Sequence, residues 1–124
     1  MVVGLGIDLI EEGRVAQALE RWGERLVGKL MGPEEAARLP RGPARARAVT
    51  LAIAAKEAAS KALGTGWSRG VAWRDVVVDL GPPVAVRLQG GALSTARRLG
   101  SRGRTHAVLE VRGELVIGQV RLLS

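Results

Sequence analysis

The sequence contains no cysteine, no phenylalanine and no tyrosine, and it has a single histidine, His106. Without cysteine, disulfides and thiolate metal sites are excluded, and one histidine cannot form a multi-histidine zinc site. A bound metal would therefore have oxygen ligands, which favours a hard ion such as magnesium. Because only three tryptophans remain, a platform of stacking aromatics for single-stranded nucleic acid is difficult to build.

Long apolar runs and a basic, apolar leader are also missing. No segment approaches the roughly 18 residues that span a bilayer, so we expect a cytoplasmic protein with no membrane role. The length of 124 residues suits one domain, residues 1–124. The net charge is +7, which favours a polyanionic partner: nucleic acid, a phosphorylated small molecule or an acidic protein.

The first segment, Val2–Ile10, is an apolar run with one acid in it, Asp8. Its composition predicts a short strand. Because side chains alternate along a strand, Asp8 shares its face with Gly4 and Gly6. That face is nearly free of side chains, so we expect a hydrated cation, or a phosphate with its metal, to approach the carboxylate there.

A second polar motif lies in the segment Ala54–Gly66, AAKEAASKALGTG. A helix would place on one face Glu57, Ser60, Lys61 and Gly64. A carboxylate and an ammonium that lead into a glycine loop can hold a cation and an anion side by side, as a metal-bound phosphate requires. The alternative is a plain helical ion pair closed by a glycine cap, worth about 0.2–0.5 kcal/mol.

Between these motifs, Glu11–Leu30 has the three- and four-residue periodicity of one helix. Its opposite side carries Arg14, Arg21 and Arg25, which predict either a basic docking face or an ordinary solvated surface. The residues predicted to form the buried stripe are Val15, Ala18, Leu19, Trp22, Leu26 and Leu30.

The rest of the chain predicts short elements around one long, alanine-rich helix. In order, they are a helix start at Gly32–Glu35, a loop at Pro40–Pro43, the long helix Ala44–Leu63 closed by Gly64, strands Ala72–Leu80 and Val84–Leu88 around the turn Gly81–Pro83, a helix Gly90–Leu99, and a hairpin of Arg104–Val111 and Leu115–Leu123.

The two polar motifs together resemble the holo-acyl-carrier-protein synthase family of phosphopantetheinyl transferases. The residues that carry the resemblance are Gly6-Ile7-Asp8 and Lys56-Glu57-Ala58-Ala59-Ser60-Lys61, with weaker matches at Trp73-Arg74-Asp75 and Pro83. The resemblance implies an α+β fold, in which a small antiparallel sheet packs against a long central helix and shorter helices. It also implies transfer of 4'-phosphopantetheine from coenzyme A to a serine of apo-acyl carrier protein, with release of adenosine 3',5'-bisphosphate.

The resemblance also implies roles for particular residues. Asp8 and Glu57 would bind magnesium on the pyrophosphate, and Lys61 would contact the same phosphates. The serine proton would pass to a metal-activated water or to Glu57, which the sequence leaves open. The residues that would line the coenzyme pocket are Ser60, Lys61, Gly64, Gly66, Pro83 and His106, although a lone histidine on an apolar strand is more often a structural residue.

Assembly and partner binding are implied in the same way. The short family members form homotrimers with coenzyme sites between subunits, and their first helix binds acyl carrier protein. Here that helix would use Arg14, with Arg21 and Arg25 beside it. The sequence does not say whether the carrier protein serves fatty acid biosynthesis or another part of lipid metabolism.

This chain departs from the family pattern at the adenosine end of the site. An arginine and an aromatic residue usually precede the helix motif, but Ala52 and Ile53 stand here, and Val108–Val111 replaces a serine-rich run. We expect weaker coenzyme binding unless Arg45 or Arg47 reaches the same phosphate.

Two alternatives to the transferase are a non-catalytic basic module that binds nucleic acid or an acidic protein, and a domain without a site. In a domain without a site, Asp8 would be an unpaired buried charge, and its replacement by alanine would stabilise the fold.

Overall fold

The computed structural model describes residues 1–124 and has the expected α+β architecture. None of its helices combines the length and the apolar character that crossing a bilayer requires. The helices are α1 (Glu12–Trp22), α2 (Glu24–Leu30), α3 (Pro33–Ala37), α4 (Ala44–Leu63) and α5 (Gly90–Arg98), and the strands are β1 (Val2–Glu11), β2 (Val76–Asp79), β3 (Ala85–Leu88), β4 (Arg104–Arg112) and β5 (Leu115–Leu123).

The main sheet has three antiparallel strands in the order β1-β5-β4, and β2 and β3 form a separate antiparallel hairpin. The predicted hairpin of the last two strands is confirmed, and Gly113 adopts a positive φ in its turn. The side chains of β5 that point toward α4 are fully buried: Val116, Val120 and Leu122. The core therefore lies between the main sheet and the long helix.

Glycines on the inner face of the sheet allow α4 to approach closely. A Cβ atom at Gly4 would overlap the carbonyl oxygen of Ala62, and one at Gly6 would overlap the carbonyl oxygen of Ala58. On β5, Gly118 makes a similar close approach to the helix backbone. The helix backbone therefore packs directly on the strand backbone, with little side-chain volume between them.

The glycine face of β1 is therefore not an opening for a ligand, and our prediction that a cation or phosphate approaches Asp8 across Gly4 and Gly6 is wrong. The missing side chains make room for the backbone of α4 instead. The opposite face of β1 is the open one, because Leu5 and Ile7 are 52% and 54% exposed.

We predict that Gly6→Ala destabilises the protein by about 2–3 kcal/mol, because the added methyl group forces α4 away from the sheet. The measurement is the free energy of unfolding from urea titration. Gly32→Ala is the control, because a Cβ there meets nothing within 4 Å and the residue has φ −74°. An equal loss in the two variants would contradict the packing account.

The segment Glu11–Leu30 forms two helices, not the single helix that we predicted. Gly23, with φ +54°, separates α1 from α2. The break takes Trp22 out of the buried stripe and leaves it 47% exposed, while Val15 and Leu30 are buried as predicted. Predicting buried positions from a period of 3.6 residues assumes one straight helix, so the prediction is unreliable beyond a break in the helix.

The predicted strand Ala72–Leu80 is only partly correct. Its first residues, Trp73–Asp75, form one turn of 3-10 helix, and the strand is limited to Val76–Asp79. Asp75 causes the turn, because its carboxylate accepts a hydrogen bond from the backbone N–H of Ala72 at 3.1 Å.

A buried ion pair connects α4 to α3 and β2. Lys56 is fully buried, and its Nζ donates to Glu35 Oε1 at 3.1 Å, to the carbonyl of Trp73 at 3.1 Å and to the carbonyl of Val76. The other oxygen of Glu35 accepts the backbone N–H of Val78. Burial lowers the pKa of Lys56 and the carboxylate of Glu35 opposes that shift. Every donor of the ammonium is therefore satisfied.

Candidate functional site

Three of the predicted site residues meet where the last turns of α4 cross β1. Lys61 Nζ donates to Asp8 Oδ1 at 2.5 Å and to the carbonyl of Ile7 at 3.3 Å. The Asp8 side chain is 14% exposed and that of Lys61 is 51% exposed. Glu57 lies one helical turn before Lys61, close enough to interact electrostatically with both. We call Asp8, Glu57 and Lys61 the Asp8 cluster.

The carboxylate of Glu57 is the least compensated charge in this cluster. Burial raises the pKa of Glu57, the indole of Trp67 lowers it, and the neighbouring Asp8 raises it again. The hydrogen bond from Lys61 goes to Asp8, which raises the pKa of Lys61. Two adjacent carboxylates thus have one ammonium, and that ammonium is bonded to only one of them.

This donor set fits a magnesium ion better than it fits zinc. No group of three or more His, Cys, Asp and Glu side chains is arranged to hold a metal, so the chain offers no closed protein cage. Magnesium commonly binds one or two carboxylates and completes its octahedron with water and substrate phosphates. A divalent cation between Asp8 and Glu57 would also offset the repulsion between them.

The glycine loop at the end of α4 has the predicted position next to the cluster. Gly64 closes the helix in the left-handed conformation, and the N–H of Gly66 donates to the carbonyl of Ser60 at 3.2 Å. The hydroxyl of Ser60 is buried and donates to the carbonyl of Glu57 at 2.8 Å. Within this chain Ser60 therefore stabilises the helix end, and its predicted contact with coenzyme stays a prediction.

Pro83 and His106 lie away from the Asp8 cluster. His106 is exposed on β4 and pairs with Arg121, which pairs with Leu5. Residues paired across antiparallel strands share a face, so His106 lies on the outer face of the sheet, opposite to the inner face that carries Asp8. Pro83 precedes β3, whose residues line a shallow cleft of about 290 Å³ together with His106.

The arginines considered as substitutes at Ala52 both contact carboxylates on the first two helices. Arg45 pairs with Glu24 at 2.6 Å, and Arg47 pairs with Glu12. Ala52 itself is buried. A phosphate contact by either arginine would therefore have to compete with an existing ion pair.

The predicted partner-binding arginines do not form one continuous row. Arg21 and Arg25 lie over the ring of Trp22, with their guanidinium carbons 5.0 and 5.8 Å from its centre. Arg14 lies two turns earlier and pairs with Glu11 at 3.5 Å. Leu26 and Lys29 complete a shallow pocket beside the indole. We call Arg21, Trp22, Arg25, Leu26 and Lys29 the Trp22 patch.

Two features near the site were not predicted from the sequence. The first is Trp67. It directly follows the Gly64–Gly66 loop, and because that loop turns back along α4, its position in the sequence could have indicated that it lies near Glu57. The second is the Lys56–Glu35 pair. Lys56 shares a helix face with Ala52 and Ala59, and a lysine among buried alanines suggests a buried charge that needs a partner.

The chain is similar in sequence to known proteins over most of its length. A sequence model of the 4'-phosphopantetheinyl transferase superfamily matches residues 4–113. The chain is 47% identical over 115 residues to a holo-[acyl-carrier-protein] synthase of Methylobacterium sp. (strain 4-46), covering 88% of this chain and 84% of that protein. It is 44% identical over 107 residues to the synthase of Alkalilimnicola ehrlichii, covering 83% of each.

Solved structures are similar over the whole length. The synthase of Neisseria meningitidis has a TM-score of 0.83 at 25% identity and covers 100% of both chains. The synthase of Bacillus anthracis, crystallised in complex with coenzyme A (3',5'-ADP), has a TM-score of 0.75 at 27% identity and covers 98% of this chain and 96% of that one.

Proposed function

The chain belongs to the 4'-phosphopantetheinyl transferase superfamily, and we propose that the Asp8 cluster is the centre at which it works. The protein transfers 4'-phosphopantetheine from coenzyme A to a serine hydroxyl of apo-acyl carrier protein and releases adenosine 3',5'-bisphosphate. The observation that carries the assignment of the centre is the meeting of Asp8 on β1 with Glu57 and Lys61 on α4, although Asp8 and Lys61 are 53 positions apart in the chain. We propose that the reaction takes place in the cytoplasm and serves fatty acid biosynthesis.

We assign the residues of the cluster two roles according to their charge: the carboxylates bind the metal, and the ammonium binds phosphate. Asp8 and Glu57 would hold a magnesium ion, which supplies Lewis-acid stabilisation of charge on the pyrophosphate when it is bound. Lys61 has the more exposed side chain of its ion pair, so its ammonium can turn toward a phosphate outside the helix. Phosphoryl transfer depends mainly on such charge neutralisation and on holding the acceptor in line.

Mass spectrometry of the carrier protein tests this function directly. Purified apo-acyl carrier protein, coenzyme A, magnesium and this protein are expected to yield carrier protein heavier by one phosphopantetheine group, and a chelator should stop the reaction. An unmodified carrier protein would overturn the function. Modification that persists in the chelator would overturn only the metal role.

We propose that the Trp22 patch receives an acidic surface of the carrier protein. Two guanidinium groups held on an exposed indole supply positive charge around an apolar centre, which is a composition typical of interface anchors. Arg14 would extend this contact along α1. The fixed positions of Arg21 and Arg25 reduce the side-chain entropy that binding costs.

Reversing the charges of the Trp22 patch should weaken carrier binding specifically. Arg21→Glu combined with Arg25→Glu is expected to raise the KM for carrier protein about 30-fold, or about 2 kcal/mol, with the KM for coenzyme A unchanged. Arg97→Glu combined with Arg102→Glu makes the same charge change on exposed residues elsewhere. An equal rise in both double variants would point to overall charge and not to the patch.

We also propose a homotrimer, formed through the outer face of the main sheet. Leu5, Ile7 and Leu9 are each more than half exposed on this face of β1. Val108 of β4 lies on the same face, with Gln119 of β5 between it and Ile7. A row of exposed apolar side chains along one edge strand favours association with other copies. The family resemblance specifies three copies, and the exposed face supplies a surface for them.

A charge on this face should prevent assembly. Ile7→Glu is expected to convert the oligomer to monomers, because association would bury an unpaired carboxylate. Size-exclusion chromatography with light scattering measures the mass. Leu99→Glu, at an exposed leucine after α5, should leave the mass unchanged. A monomeric wild-type protein would contradict the proposed trimer.

A further inference from the structure

Trp67 has the one buried side-chain polar atom in the chain that lacks a hydrogen-bond partner, its indole N–H. Leaving a buried donor unpaired costs about 1–3 kcal/mol. Native proteins rarely retain such a group without a reason. This donor lies next to the Asp8 cluster, which suggests that the N–H is retained for a role at that site.

The indole has little freedom to turn elsewhere. Its ring stacks on the ring of Trp73 with centroids 3.9 Å apart and planes 20° from parallel. The loop before it is held against α4 by the hydrogen bond from Gly66 to Ser60, whose hydroxyl in turn contacts the carbonyl of Glu57. Trp67 is therefore attached on one side to the helix end and on the other to a second tryptophan.

Glu57 is the complementary group. No hydrogen-bond donor and no cationic side chain lies within bonding distance of its carboxylate. The nearest ammonium on the helix, that of Lys61, bonds to Asp8 instead. The indole of Trp67 is a neighbour of Glu57, because the hydrogen bond from Gly66 to Ser60 holds the start of the Trp67 segment against the same end of α4. A buried donor without a partner and a half-buried carboxylate without a partner thus lie near each other at the end of α4.

We propose that the Trp67 indole N–H donates to one carboxylate oxygen of Glu57 and so directs the other oxygen toward the metal position. This inference rests on the proposed magnesium role of Glu57. It makes Trp67 a positioning residue, which acts through Glu57 and does not touch the substrate. A carboxylate with one oxygen fixed has fewer orientations to lose when a metal binds, and this raises its affinity.

The contact is tested first without any metal. The three tryptophans give three indole signals in a 15N–1H NMR spectrum, and Trp67→Phe identifies the signal of Trp67. Glu57→Gln replaces the charged acceptor by a neutral amide and is expected to move the Trp67 signal while leaving that of the exposed Trp22 in place. A Trp67 signal that stays unchanged in Glu57→Gln would overturn the proposal.

The effect on metal binding is tested second, by titrating Mn²⁺ into the 124-residue protein and measuring free Mn²⁺ by electron paramagnetic resonance. Trp67→Phe keeps a stacking ring but removes the N–H, and it is expected to weaken Mn²⁺ binding about 10-fold. The matched variant Trp73→Phe changes the other ring of the stack, and its affinity should stay within about twofold of wild type.

Equal affinities for wild type and Trp67→Phe would overturn the positioning role, and so would an equal loss in the two phenylalanine variants, since that would assign the effect to the stack. A wild-type protein that binds no Mn²⁺ would overturn the metal role on which the inference rests. The NMR comparison would then still decide whether the contact exists, so the two failures can be told apart.

Discussion

Replacing Asp8 with alanine is expected to reduce the rate of phosphopantetheine transfer by about 10³-fold or more, which corresponds to about 4 kcal/mol of transition-state stabilisation. Asp8 is one of only two carboxylates in the cluster, and its loss leaves Glu57 as the only carboxylate there. Lys61 also loses the partner that positions its ammonium. The rate is measured from the mass shift of the carrier protein at saturating magnesium.

The fold should survive this change. The Asp8–Lys61 pair is partly exposed, and such pairs contribute about 1 kcal/mol or less. Glu34→Gln removes an exposed carboxylate on α3 and should leave the rate unchanged. An Asp8→Ala protein that is folded and nearly as active as wild type would contradict the assignment of the centre.

The same variant separates the transferase from its two alternatives. A basic binding module would lose no function, because it does not use Asp8. A domain without a site would gain stability only if Asp8 were an unpaired charge, and the bond from Lys61 removes that premise. A loss of activity without a gain in stability is therefore expected only for the transferase.

Replacing Lys56 with methionine is expected to lower the free energy of unfolding by about 3–5 kcal/mol. The change leaves the carboxylate of Glu35 buried without its counter-ion and removes the ammonium donor from the carbonyl of Val76. The carbonyl of Trp73 loses one of its two donors and keeps the backbone N–H of Val76. Since small domains are stable by about 5–15 kcal/mol, this is a large part of the total. Urea unfolding followed by circular dichroism gives the value.

Two further variants show whether the cause is the unpaired charge. Lys56→Met combined with Glu35→Met removes both charges and should be less destabilised than Lys56→Met alone. Lys61→Met removes a lysine that is half exposed on the same helix, and its cost should be about 1 kcal/mol or less. A Lys56→Met protein as stable as the Lys61→Met protein would contradict a structural role for the buried pair.

The sequence was sufficient to predict most of the elements and the three residues of the cluster. The helix Ala44–Leu63 has the predicted bounds, because an alanine-rich segment between Pro43 and Gly64 has clear start and stop signals. Asp8 was conspicuous as the one charge inside an apolar strand. Glu57 and Lys61 followed from helical spacing, which holds wherever the helix is regular.

What failed depends on tertiary packing. A strand face of glycines is equally compatible with a bound ligand and with a helix backbone, and the sequence around Gly4 and Gly6 does not distinguish them. Trp22 was assigned to the core because the periodicity continues through Gly23, whose positive φ is a property of the folded chain. The Lys56–Glu35 contact joins residues 21 positions apart, and no local pattern connects them.

A direct binding titration tests most sharply whether Asp8 and Glu57 bind one divalent ion together. Isothermal titration of Mg²⁺ into the protein with coenzyme A present should give one ion per chain for wild type. Asp8→Asn and Glu57→Gln should each abolish that binding while unfolding at nearly the wild-type urea concentration. If either folded variant retains wild-type affinity for the ion, the two carboxylates do not share it, and the account of the centre is wrong.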